Sequence, residues 1–125
     1  MRILLAFFCL LMATSAFAEL PSGNEASIKA ALASGRPTLV DFGARKCVPC
    51  IKMAPILEAL EKEYRGRANV IFVDVWKENK VGRSYRVQMI PTQIFFDATG
   101  KETSRHIGFM DRQPIIDTFK KLGVK

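Results

Sequence analysis

The stretch Val40-Asp41-Phe42-Gly43-Ala44-Arg45-Lys46-Cys47-Val48-Pro49-Cys50 constrains this chain more than any other. It describes a buried strand that runs into a turn and then into a helix opening on a cysteine. Two cysteines three positions apart lie one helical turn from each other, on nearly the same face. That geometry allows a small, reducible disulfide. A helix start also aims unsatisfied backbone N–H groups and the positive end of the helix dipole at the Cys47 sulfur, which favours thiolate over thiol. Arg45 and Lys46 add positive charge just ahead of it. A reactive thiolate backed by a second thiol is the basic equipment for disulfide exchange.

Whether the pair is catalytic or a structural staple depends on the rest of the chain. Met1-Arg2 gives a positive start, Ile3 to Met12 is almost wholly apolar, and Ala16-Phe17-Ala18 places small residues where a signal peptidase cuts. Residues 1–18 are therefore expected to be a secretory signal peptide and 19–125 the mature domain. The apolar run is too short to span a bilayer. Phe8 before Cys9 argues against a lipoprotein site. Removing the leader, with its single charged residue Arg2, leaves 107 residues carrying +6 of the chain's +7. That length suits one domain and one core. It also leaves Cys47 and Cys50 as the mature cysteines. A disulfide between them closes a loop too small to restrict the unfolded chain much, so a catalytic pair is the better reading.

The positive charge does not point to nucleic acid. Lys and Arg are scattered among acids, as in Glu61-Lys62-Glu63 and Lys101-Glu102, with no basic run and no interleaved aromatics. A solvated basic surface is the simpler account.

Along the chain, Ser27 to Ala33 is expected to be a short helix closed by Gly35. Thr38 to Phe42 is almost continuously apolar, as for a strand covered on both faces, with Asp41 the exception. From Cys47 to about Tyr64, Ile51, Ala54, Leu57 and Leu60 recur at helical spacing. Pro55 is expected to kink this helix and Gly66 to end it. Val70 to Val75 is a second buried strand, Asn79 to Tyr85 a short helix, and Ile90 to Phe96 a third strand. Asp97 to Gly100 is a hairpin turn, and Lys101 to Ile107 the returning edge strand. Asp111 starts a last amphipathic helix with Ile115, Ile116, Phe119 and Leu122. The order predicts an α/β fold: a mixed central sheet with helices on both faces.

Several residues invite a sharper hypothesis and carry a plainer one. His106 is the one histidine, but it falls on the edge strand, where an exposed or locally bonded ring is expected. Two thiols fall short of a structural zinc site, so no metal is expected. A copper carrier using the cysteines with Met or His is the alternative function. Trp76 is expected to be a half-buried packing residue, with substrate docking as the alternative. Met89 lies near the active-site loop as filler or docking surface. A proline opening a strand, as Pro91 does, often marks an unusual peptide bond beside a functional turn, with an ordinary trans proline at a strand start as the alternative.

Taken together, Val40-Asp41-Phe42, Cys47-Val48-Pro49-Cys50-Ile51-Lys52, Pro55, Tyr85, Ile90-Pro91-Thr92 and Gly108 resemble the thioredoxin family, over about Ser27 to Leu122. The resemblance implies a thioredoxin fold, thiol–disulfide oxidoreductase activity and no bound cofactor. Cys47 then matches the nucleophile and Cys50 the resolving cysteine. Pro91 matches the cis-proline that faces the disulfide, and Asp41 the buried acid beneath it. Such a carboxyl, with no cation partner, should have a raised pKa and could take a proton from Cys50. Val48, Pro49, Ile90 and Gly108 are expected to bind substrate. The family usually carries tryptophan where this chain has Lys46 and often where it has Gly43. The lysine often found near the buried acid is replaced by Phe72. The expected partners are disulfide-containing proteins and a membrane electron donor, the expected location is the periplasm, and a monomer is expected. Pro49 before the second cysteine and Ile90 before Pro91 resemble reducing members, so electron donation is the expected direction. A disulfide oxidant or isomerase is the alternative.

Overall fold

The structure, a computed structural model, describes residues 19–125. The expected leader, residues 1–18 with Cys9, lies outside the described residues.

Eight elements follow the predicted order: α1 (Glu25–Leu32), β1 (Thr38–Gly43), α2 (Val48–Tyr64), β2 (Asn69–Asp74), α3 (Asn79–Ser84), β3 (Thr92–Phe96), β4 (Glu102–Ile107) and α4 (Arg112–Lys121). The strands form one sheet in the order β2-β1-β3-β4. β1 and β2 are parallel, joined by α2 as the crossover, while β3 pairs antiparallel with both β1 and β4.

The central position of β1 explains its sequence. Every residue from Thr38 to Gly43 is buried, because one strand lies on each side and helices cover both faces. Side chains alternate between the faces. Leu39 meets α2 and α4 in a cluster with Met53, Leu57, Leu60, Ile115 and Phe119. Val40 and Phe42 face the other way, into a cluster with Ile28 of α1 and Val81 of α3. β4 is the exposed edge.

Some boundaries move for identifiable reasons. α1 starts two residues earlier than expected, because Asn24 caps it: the Ser27 amide donates to the Asn24 side chain at 3.0 Å, and the Asn24 amide donates to the Ser27 hydroxyl at 2.8 Å. This reciprocal pair nucleates the first turn. α2 runs unbroken across Pro55. β3 begins at Thr92 instead of Ile90, so Ile90 and Pro91 belong to the turn before the strand. Trp76 is 60% exposed rather than half-buried, because it lies in the turn beyond the end of β2, where no element covers it.

Candidate active site

The site is built at the end of the sheet where β1 and β2 finish. β1 stops at Gly43, the chain turns through Ala44, Arg45 and Lys46, and Cys47 caps α2 in an extended conformation. Pro49 occupies the second helical position, where a missing N–H costs nothing because that group has no intrahelical partner. Cys47 makes no side-chain capping bond, so in the disulfide form no first-turn amide donates to its sulfur, and those N–H groups keep no intrahelical partner. Cys47 and Cys50 are joined as a disulfide with Cα atoms 5.1 Å apart. The two sulfurs are not equivalent: Cys47 is partly exposed, whereas Cys50 is only 4% exposed and faces the sheet.

Beneath Cys50 lies Asp41, fully buried in the middle of β1. Its register partner on β2 is Phe72 and on β3 is Gln93. The Gln93 amide Nε2 donates to Asp41 Oδ1 at 2.8 Å, and Asp41 Oδ2 has no hydrogen-bond partner among the described residues. Burial pushes the Asp41 carboxyl up from 3.8 to about 7, against a smaller downward pull from the Gln93 bond. Gly43 is what brings carboxyl and sulfur together. A Cβ at this position would lie 3.2 Å from Cys50 Sγ, 3.3 Å from the Phe72 ring and 3.4 Å from Asp41 Oδ2. The Cys50 sulfur and the free carboxyl oxygen therefore border one small space that a side chain at 43 would fill.

The loop before β3 completes the site. The Ile90–Pro91 bond is cis. Thr92 Oγ1 donates to the Met89 carbonyl at 2.6 Å and closes that turn. Because Phe42 pairs with Thr92, Pro91 comes level with Gly43, at the end of β1 that leads to Cys47. The Gly108 amide donates to the Pro91 carbonyl at 2.8 Å, at a backbone φ of +99° that side chains rarely adopt. Pro91 and Gly108, 17 positions apart, are thus held together. Val48 and Ile51 on α2, Trp76 after β2, Met89, Ile107 and Phe109 are the exposed large apolar residues of the described chain, and all lie around this end of the sheet. An apolar rim of this kind marks a surface that meets a partner.

Other residues fall elsewhere. The Arg45 guanidinium donates to the Leu20 carbonyl, pairs with Glu19 at 3.1 Å and sits 4.3 Å from the centre of the Phe72 ring. Its charge is therefore engaged by the lead-in to α1 and by Phe72. Lys46 is exposed. His106 Nε2 donates to the Phe109 carbonyl at 3.0 Å, the local bond expected of an edge-strand histidine. Among the described residues, no group of three or more His, Cys, Asp or Glu is placed to hold a metal ion. Gln93 is the site residue that sequence reasoning missed. Its signal was a polar side chain in the apolar run Thr92 to Phe96, but its meaning depends on a strand register that one strand cannot reveal.

Comparison with known proteins agrees with this geometry. The thioredoxin family model matches residues 21–121. The chain is 35% identical over 83 residues to a thioredoxin of Staphylococcus aureus, covering 66% of this chain and 79% of that protein. A thioredoxin of Staphylococcus saprophyticus matches to the same extent. Among solved structures, chloroplastic thioredoxin z is similar with a TM-score of 0.73 at 26% identity, over 85% of this chain and 96% of that one. A mutant thioredoxin from Halobacterium salinarum shares the fold with a TM-score of 0.73 at 24% identity, over 85% of this chain and 91% of that one.

Proposed function

The chain belongs to the thioredoxin family of thiol–disulfide oxidoreductases, and from that premise we propose that it is an exported reductase of protein disulfides. The observation that carries the reading is the inequality of the two sulfurs. Cys47, at the helix start and open to solvent, is the nucleophile. Cys50, buried above an uncompensated carboxyl, is the resolving thiol.

In the reduced protein, Cys47 thiolate attacks a substrate disulfide. A Cys47–substrate bond forms, the substrate disulfide breaks, and one substrate thiolate leaves. Asp41 then accepts the Cys50 proton, and the Cys50 thiolate attacks Cys47 Sγ. The intramolecular disulfide forms and the second substrate thiolate leaves. The protein loses two electrons and the substrate disulfide gains them. Val48, Pro49, Ile90, Pro91 and Gly108 dock the extended substrate backbone around the scissile bond, and the apolar rim accepts side chains exposed in unfolded or partly folded proteins. Export rests on the leader pattern of residues 1–18. An exported reductant needs electrons delivered across the membrane, so a membrane dithiol protein regenerates it.

Reductant is preferred to oxidant on electrostatic grounds. A strongly stabilised Cys47 thiolate would make the protein oxidising. Val48 and Pro49 offer no charge to that thiolate, and the charge of Arg45 is shared with Glu19. Insulin reduction by dithiothreitol should be accelerated by the protein and not by Cys47→Ser. Equilibration with glutathione, read by thiol alkylation, should give a potential nearer about −270 mV than about −120 mV. A value above about −180 mV would replace the reductase with an isomerase or oxidant. Intact mass of exported protein should begin at Glu19, and retention of Met1 would remove the export claim.

A further inference from the structure

Gln93 is the one polar side chain among the largest fully buried of the described residues. A core position that needed only to be filled would hold leucine, since an amide buried with one atom unpaired is costly. Gln93 is in that condition: its Nε2 is bonded to Asp41, and its Oε1 has no partner. The register makes its position specific. Phe72, Asp41, Gln93 and His106 form one row across all four strands. Directly opposed residues project to the same face. The row therefore runs beneath Cys50 from one side of the sheet to the other, and among the described residues Gln93 is the hydrogen-bond donor to the carboxyl.

We propose that Gln93 is a positioning residue for the resolving step: its amide holds Asp41 Oδ1, so that Oδ2 is the oxygen that exchanges a proton with Cys50. The inference rests on the reading of Asp41 as the acceptor of the Cys50 proton. Its chemistry follows from the donor inventory. An amide NH2 donates and an ionised carboxylate accepts, so Nε2 faces Oδ1 whenever Asp41 is charged. Placing a proton on Oδ1 would cost that bond, so the proton goes to Oδ2. Oδ2 is unpaired and borders the same space above Gly43 as Cys50 Sγ. During resolution the Cys50 S–H bond breaks and an Asp41 Oδ2–H bond forms. The sulfur electron pair then makes the Cys47–Cys50 bond, and the substrate sulfur leaves with the electrons of the bond it loses.

The amide has a second effect in the same direction. It stabilises the charged carboxylate in a place where burial opposes charge. Among the described residues no cation does this job. From β2 the facing residue is Phe72, with Arg45 over its ring and paired to Glu19. From α2 the facing group is the Cys50 sulfur. From β4, on the far side of Gln93, it is His106, exposed and bonded to the Phe109 carbonyl. A neutral amide favours the carboxylate less than burial opposes it, so Asp41 stays able to accept a proton near neutral pH.

The test uses oxidised protein carrying 13C in the aspartate carboxyls and 15N in the glutamine amides. In the unaltered protein, Asp41 should titrate near 7, and the Gln93 side-chain amide should follow with the same midpoint. Gln93→Met keeps the length and removes the donor. Its Asp41 midpoint should move up by about one pH unit or more, the worth of a hydrogen bond to a charge. Resolution of a preformed Cys47 mixed disulfide should then slow about tenfold at pH values below both midpoints and recover above them. In an Asp41→Asn background, Gln93→Met should have no further effect on that pH profile. An unmoved midpoint, or a slowing equal at every pH, overturns the proposal. If Gln93→Met does not fold, the amide titration of the unaltered protein decides, and an amide that ignores the carboxyl overturns it. His106→Gln should leave the midpoint in place; loss of the titration in that variant assigns it to His106 and ends the proposal. Asp41→Asn with an unchanged pH profile would instead remove the reading of Asp41 as proton acceptor, while leaving the hydrogen bond as observed.

Discussion

The two ends of the central strand treat buried polar groups in opposite ways. At the end away from the cysteines, Thr38 of β1 faces Asn69 of β2 in register. Asn69 Nδ2 donates to the Thr38 hydroxyl at 3.0 Å, to the Ser34 hydroxyl at 2.9 Å and to the Ala31 carbonyl at 3.2 Å. One amide thereby ties two strands to the end of α1. Near the cysteines, the Asp41–Gln93 pair is more deeply buried, yet an acceptor on each residue is left without a partner. Burial depth does not explain the contrast. A polar group whose task is to hold elements together gains from every bond it makes. One whose task is to take a proton must keep a lone pair open, and the fold bears the cost of that vacancy.

The contrast can be broken at several points. The largest effect should come from the end with the open lone pair: Cys50→Ala should abolish multiple turnover in insulin reduction and accumulate a Cys47 mixed disulfide visible on non-reducing gels. Fast turnover by that variant would mean that Cys50 does not resolve.

Asp41→Asn comes next. Asp41 has a folded value near 7, above its ordinary 3.8. The folded protein therefore holds a proton that the unfolded chain releases, and stability falls as pH rises from about 4 through about 7. Replacing the carboxyl should stabilise the oxidised protein by roughly 4 kcal/mol at most at pH 8, and by little at pH 4, in urea unfolding. Equal stability of the two proteins at both pH values would show that Asp41 is not strained by burial.

Asn69→Ala should do the reverse at the other end. It should destabilise by about 2 kcal/mol with no change between pH 5 and 8, because no charge is involved. The activity of the folded protein should stay within about twofold, since small effects are expected of structural changes far from the chemistry. A marked pH dependence would mean the two ends are coupled.

Gly43→Ala sharpens the comparison most finely. Its Cβ would enter the space between Asp41 Oδ2 and Cys50 Sγ at 3.2–3.4 Å from its neighbours. Resolution should slow by about tenfold, since small displacements of reacting groups cost rate steeply. An unchanged rate would place the proton path elsewhere.

Much of this was legible in the chain. Element order follows from hydrophobic period and from breakers such as Gly35, Gly66 and Gly100. The cysteine pair was visible from its spacing after a buried strand, and Asp41 from its charge in an apolar run. Less was legible where meaning depends on a partner far away in sequence. Arg45 suggested free positive charge beside Cys47, but Glu19, Leu20 and Phe72 engage it. Trp76 suggested packing and proves exposed, because a turn beyond a strand end has nothing above it. Gly108 was expected to bind substrate, and its amide is also the partner of the Pro91 carbonyl, 17 positions away.

The local pattern determined which segments are helices and strands, where the nucleophile stands and that one carboxyl falls in a buried strand. These depend on period, turn residues and residue type within a few positions. That this carboxyl lies beneath the cysteines was implied by the family resemblance. The tertiary structure alone decided that Gln93 would meet Asp41, 52 positions away, and that Gly43 would leave room for Oδ2 to face Cys50 Sγ. Strand register is the physical reason. A shift of one residue would carry Gln93 to the opposite face of the sheet, and only the packing of both faces against their helices selects the register that sets it beside the carboxyl.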